Sequence, residues 1–209
     1  MALPTGAPAS SPERTPERAA RPGQWLVSAR GGLGYDGTLA APQGSLGFGR
    51  AWPRGRVQAL LDAFGGRAHG PRGTLDLGVV TVTPRVCATL RMRAPIELSP
   101  CAGVAIGAAV GRGRDVLNAR TAVVPWLAAH LDFGVRVVPR RWLAVGLELS
   151  NYAMIGRPLF MLSDRQTVYR AGPAGSRALL TLELRFSATD SSRAGSRASA
   201  RPRAHTLDA

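Results

Sequence analysis

The strongest constraint in this chain is an inverted alternation between Ile96 and Gly111. Ile96, Leu98, Ala102, Val104, Ile106, Ala108 and Val110 share one face of an extended strand. Glu97, Ser99, Cys101, Gly103, Ala105, Gly107, Ala109 and Gly111 share the other. Successive side chains of a strand point to opposite faces, so this segment has one bulky apolar face and one small or polar face. A sheet in water packs its bulky face against a core. A barrel in lipid turns that face outward and keeps the small, polar face inside.

The same stretch closes as a hairpin. Arg93-Ala94-Pro95 is a tight turn, and centring it on Ala94 sets residues equidistant from it face to face. Cys87 then opposes Cys101, and Arg91 opposes Glu97. Directly opposed Cβ atoms lie roughly 4.5–5.5 Å apart, near the reach of a disulfide. Cys87 and Cys101 are the only cysteines, so the register predicts one bridge and an oxidising compartment such as the periplasm. Two unpaired thiols in a reducing compartment are the alternative.

Period-2 alternation recurs in eight segments: Trp25–Tyr35, Gly44–Trp52, Arg56–Phe64, Thr74–Arg91, Pro95–Gly111, Ala122–Val137, Trp142–Asn151 and Ser176–Phe186. The third could instead be a short helix. Residues 1–23 are rich in Pro and Ala, and residues 187–209 in Ser, Ala and Arg, so both ends read as disordered around one domain at 24–186. The fold expected is all-β, an eight-stranded antiparallel barrel of transmembrane type. No run approaches the roughly 18 apolar residues of a spanning helix. Residues 1–23 contain no apolar stretch typical of a secretory signal, so either the start is misplaced and an export signal lies upstream of Met1, or the exported compartment is the wrong expectation.

Connection lengths and aromatic positions sort the two ends. Pro53–Gly55, Arg93–Pro95 and Val138–Arg141 are short, whereas 36–43, 65–73, 112–121 and 156–175 are long. Outer-membrane barrels have short periplasmic turns and longer external loops. On that topology Trp25, Trp52, Trp142 and Phe186 form an inner belt, and Tyr35, Phe64, Trp126 and Tyr152 an outer one, at the two membrane interfaces.

The chain carries 27 arginines and no lysine, with a net charge of +14. Nucleic acid is the first partner such a charge suggests. The arginines are scattered through turns and loops without interleaved aromatics, so no nucleic acid is expected. Arg112, Arg114, Arg120 and Arg157, in the long loops, could contact lipopolysaccharide phosphates or remain a solvated rim. On inward faces, Arg85, Arg91, Glu97, His130, Asp132, Arg136, Glu148, Glu183 and Arg185 read as a charge network that fills the lumen. Charges in so narrow a space must be paired or hydrated, and eight strands leave little room for a pore.

No catalytic, cofactor or metal site is expected. His69, His130 and His205 are too scattered to share a metal. His130 and Asp132 share a face, but no nucleophile stands beside them. Gly31-Gly32-Leu33-Gly34 is not followed by a helix, which argues against a phosphate loop.

Five motifs in order carry a family resemblance: Leu98-Ser99-Pro100-Cys101-Ala102-Gly103, Val124-Pro125-Trp126, Arg140-Arg141-Trp142-Leu143, Arg157-Pro158-Leu159-Phe160 and Leu182-Glu183-Leu184-Arg185-Phe186. Over about residues 24–186 the chain resembles the small outer-membrane β-barrel proteins of myxobacteria. That resemblance implies a non-enzymatic protein of the outer membrane, structural or adhesive through its long loops. Phe186 is similar to the last-strand aromatic read by the outer-membrane assembly machinery, although 23 further residues (187–209) follow it. The rival expectation is a soluble periplasmic barrel that carries a small hydrophobic ligand, with the Leu/Val face and the aromatic rings inside its cup.

Overall fold

The structure is a computed structural model that describes residues 23–70, 73–93, 95–114, 121–161 and 167–187. The expected disordered ends, Arg120 and the side chain of Arg91 lie outside the described residues. Eleven strands follow in chain order: β1 Gln24–Tyr35, β2 Ala40–Trp52, β3 Gly55–Gly70, β4 Gly73–Ala88, β5 Leu90–Arg93, β6 Ile96–Arg114, β7 Thr121–Arg140, β8 Leu143–Gly156, β9 Leu159–Met161, β10 Thr167–Arg170 and β11 Ala174–Ser187. Antiparallel pairing runs β4-β3-β2-β1-β11-β8-β7-β6, and β6 pairs with β4 to close the ring. β5 continues the path of β4 along β6 after a break at Thr89, so eight walls form the barrel. Closure leaves no open edge, which is the condition for strands to cross a membrane.

Pairing of β4 and β5 with β6 sets Cys87 against Cys101 and Arg91 against Glu97. The cysteines form a disulfide across Cα atoms 4.0 Å apart, with both side chains facing inward. A bridge closing a loop of about 15 residues contributes about 3 kcal/mol by chain entropy. The Cys87→Ser, Cys101→Ser double variant is therefore expected to fold but to unfold at clearly lower denaturant than the oxidised parent. Coincident unfolding curves would remove any stabilising role.

Several expected boundaries move. Residues 40–43 belong to β2, and residues 65–70 extend β3 where a loop was expected. Residues 112–114, with Arg112 and Arg114, belong to β6 and not to the following loop, and β7 and β8 run on to Arg140 and Gly156. Gly65 and Gly66 continue the ladder opposite Gly78 and Leu77, because glycine loosens a strand without breaking it when both neighbours pair. Arg56–Phe64 is strand throughout, not helix. The expected loop 156–175 contains the β9–β10 hairpin, which folds over the outer mouth.

The faces divide as the alternation requires. Val27, Leu46, Phe48, Leu61, Val82, Ile106, Leu131, Phe133, Leu147, Leu180 and Leu182 are all exposed on the outside. A soluble carrier would bury these residues around its ligand, so this arrangement speaks against that rival. The interior has two zones. Towards the short turns it is polar; towards the outer mouth it is an apolar cluster of Leu75, Leu77, Val79, Trp126, Phe160 and Tyr169. The expectation of a polar interior thus holds only for the inner zone, because β9 and β10 bring rings of their own into the mouth.

Candidate functional site

Two arrangements hold most of the side-chain chemistry: a buried network in the inner zone and a charged rim outside the mouth. Parity builds the first. Odd positions of β4, β6 and β11 and even positions of β1, β3, β7 and β8 point inward. Small inward residues leave the arginines room: a Cβ on Gly146 would lie 2.7 Å from Cγ of Arg136 and 2.2 Å from the Val135 carbonyl.

Nearest the short turns, Arg56 donates from Nη1 to Glu183 Oε2 at 2.7 Å and from Nη2 to Ser99 Oγ at 3.0 Å. Arg185 bridges the same layer, from Nε to Glu183 Oε1 at 2.7 Å and from Nη2 to Glu97 Oε2 at 2.7 Å. One layer up, Arg85 donates from Nη1 to Glu148 Oε1 at 2.6 Å and Asp132 Oδ2 at 2.9 Å, and from Nη2 to Gln58 Oε1 at 2.9 Å. Arg136 Nη2 reaches the other oxygen of Glu148 at 3.2 Å. Arg30 also donates to Glu148, and its Nη2 donates to Asp62 Oδ1 at 2.9 Å. Thr83 completes Asp62, donating to Oδ2 at 2.8 Å. Charge-assisted bonds of this kind offset the cost of burying ions only when nearly every group has a partner.

His130 lies beside Asp132, Nδ1 to Oδ1 3.9 Å, and beside Ser150 Oγ at 3.4 Å, with its ring stacked on Tyr152. Among the described residues no group of three His, Cys, Asp or Glu side chains is arranged to hold a metal. Sequence reading named Arg85, Glu97, His130, Asp132, Arg136, Glu148, Glu183 and Arg185 for the lumen but omitted Arg30, Arg56, Asp62 and Arg177, all buried there. The missing signal was parity. Arg56 and Asp62 share an inward face with Gln58, and Arg30 and Arg177 share the parity of buried Ser28 and Leu179.

The aromatic belts need one correction. Trp25, Trp52, Trp142, Phe186 and Tyr35 are exposed on the outside. Trp126 and Tyr152 are 1 % and 4 % exposed and point into the mouth, so they do not belong to an outer belt. Both occupy even positions of strands whose even positions face inward, and position along a strand does not override parity. Phe64 likewise faces in and packs edge-on against Trp126. At the inner belt, Arg50 lies over the rings of Trp25 and Trp52, and Arg140 over that of Trp142.

The rim stands where the outward apolar row ends on β3, β4 and β6. Arg67 opposes Asp76, which in turn opposes Arg112 across β4 and β6. Arg67 Nε donates to Asp76 Oδ1 at 2.9 Å, and Arg114 Nε donates to the other carboxylate oxygen. The Arg67 hydrogen bond and the nearby Arg114 charge hold the Asp76 carboxyl below the usual carboxylate range. Arg112 and Arg114 are exposed. Arg157, also exposed, stands apart at the root of the β9–β10 hairpin, where Nε donates to the Ala171 carbonyl at 2.9 Å.

No protein-family model matches the sequence, and no curated protein matches it. Solved structures do. A major outer membrane protein from Thermus thermophilus superposes with a TM-score of 0.60 at 15 % identity, over 79 % of this chain and 100 % of that one. Neisserial surface protein A superposes with a TM-score of 0.54 at 8 % identity, over 78 % of this chain and 97 % of that one. The chain thus has the fold of eight-stranded outer-membrane β-barrels.

Proposed function

We propose that this barrel is a non-enzymatic protein of the outer membrane, of the small myxobacterial kind. On this reading its outer rim engages lipopolysaccharide phosphates, and its task is structural or adhesive. The observation that carries the reading is the cluster of Arg67, Arg112 and Arg114 around the single carboxylate of Asp76, directly beyond the lipid-facing apolar row. Two guanidiniums on one carboxylate, with exposed Arg112 opposite it in the ladder, retain excess positive charge at the depth of anionic headgroups, and guanidinium forks match phosphate oxygens. Arg157, and Arg120 in the loop between β6 and β7, would extend the same contact. The β11 strand ends on outward Phe186, which fits recognition by the assembly machinery as the last strand.

The test is binding of full-length protein, folded in detergent, to lipid A with and without its phosphates. Changing Arg67, Arg112 and Arg114 together to Gln is expected to weaken binding to phosphorylated lipid A about tenfold or more, with a flatter salt dependence. Acidification should act in the same sense. Asp76, held below the usual carboxylate range, stays ionised from about pH 7 to about pH 5 while lipid A phosphates lose their second charge at about pH 6, so binding should weaken over that interval. Equal binding of dephosphorylated lipid A would reject the reading.

A further inference from the structure

Arg177 departs from the rule that the other buried arginines obey. Arg30, Arg56, Arg85, Arg136 and Arg185 each have a carboxylate within ion-pair distance. Arg177 is 4 % exposed and has no such partner among the described residues. Its guanidinium lies between two rings, Cζ 4.8 Å from the centroid of Phe64 and 4.5 Å from that of Tyr152. Ring faces offset part of the desolvation of a cation, and Tyr152 is also a hydrogen-bond partner. Among the described residues, however, the one carboxylate whose charge acts on Arg177, Asp62, is already bonded to Arg30. Nη2 has no hydrogen-bond partner.

Beside it, Gln43 is 6 % exposed and neither side-chain atom, Oε1 nor Nε2, has a partner. Both side chains line one narrow cavity beneath the outer plug, together with Gly34, Asp36, Phe64 and Tyr152, with about 10 Å³ open to the centre of a water-sized particle. Asp36 does not supply the missing charge at close range. Its Oδ1 accepts from Thr38 N, Thr38 Oγ1 and Leu39 N, and its Oδ2 accepts from Tyr169.

We propose that this cavity binds one monoatomic anion of the halide class, held between Arg177 Nη2 and the Gln43 amide nitrogen. A water molecule would satisfy hydrogen bonds there but would leave Arg177 only a share of the Asp62 charge that Arg30 already holds, which is the costlier deficit. A space of about 10 Å³ open to the centre of a water-sized particle suits a single small anion. Gly34 keeps it open: a Cβ there would lie 3.1 Å from Arg177 Cγ and 3.3 Å from Gln43 Oε1. The anion would tie β1, β2 and β11 together just below the point where Tyr169 of the β9–β10 hairpin donates to Asp36, and so brace the plug.

The test compares thermal unfolding of the full-length protein in detergent with sodium bromide or sodium gluconate, at fixed ionic strength and pH. Bromide at about tenfold saturation should raise the midpoint by about 3–5 °C. Arg177→Gln should abolish the difference. So should Gly34→Ala, which fills the space and keeps every charge. Crystals grown in bromide should show an anomalous peak between Arg177 and Gln43. Equal midpoints in the two salts, a bromide response that survives both substitutions, or only water between the two side chains would each overturn the proposal.

Discussion

Replacing Arg85 with methionine destabilises the folded barrel by about 3–5 kcal/mol, the largest loss expected of any single interior substitution. Its guanidinium donates to Glu148, Asp132 and Gln58 at once. Methionine keeps much of the bulk but leaves two carboxylates in a space closed to water. Glu148 retains Arg30 and Arg136, so the uncompensated charge falls chiefly on Asp132. Arg85→Lys should lie between the two, because an ammonium keeps the charge and loses the planar fork. Urea unfolding in detergent micelles measures both. A methionine variant as stable as the parent would mean that the interior ions contribute nothing net.

The second large effect lies on the opposite face. Leu182→Arg places a guanidinium among the outward residues of β11, flanked by Leu180 and Leu184. The cost to insertion is about 2–4 kcal/mol near the middle of the bilayer and falls towards either interface. A matched substitution at Phe186, at the inner belt, should therefore cost less. The measurement is the folded fraction after dilution from urea into lipid vesicles, read by the boiling-dependent mobility shift. Equal folding of Leu182→Arg and parent would mean that this face does not meet lipid.

The two substitutions test one strand-level rule from both sides. Both positions follow from alternation, yet one is silent about lipid and the other about pairing. Alternation says that Arg85 and Leu182 occupy opposite kinds of face. It does not say that Arg85 meets Glu148, because those residues are 63 positions apart and on walls that do not pair directly. The outer rim is a similar case. Arg112 and Arg114 are visible in the sequence as loop cations, but Arg67 comes from a stretch read as a loop, and Asp76, though read as strand, meets it only through pairing. Local glycine content at 65–70 masked a ladder that only the neighbouring strand reveals.

Whatever depends on a period of two and on distance from a turn was legible in the chain before any fold was seen. Facing, the closed all-β architecture, the Cys87–Cys101 register and the outward Trp25, Trp52 and Trp142 all follow, because a strand's side chains alternate whatever it pairs with. What lies across the lumen was settled by the folded barrel. Folding brought β9 and β10 into the mouth, turned the outer interior apolar around Trp126, and left Arg177 between two rings without a carboxylate at ion-pair distance among the described residues. Contacts across a barrel join strands that are not neighbours in its wall, and their partners depend on stagger and closure, which no local pattern encodes.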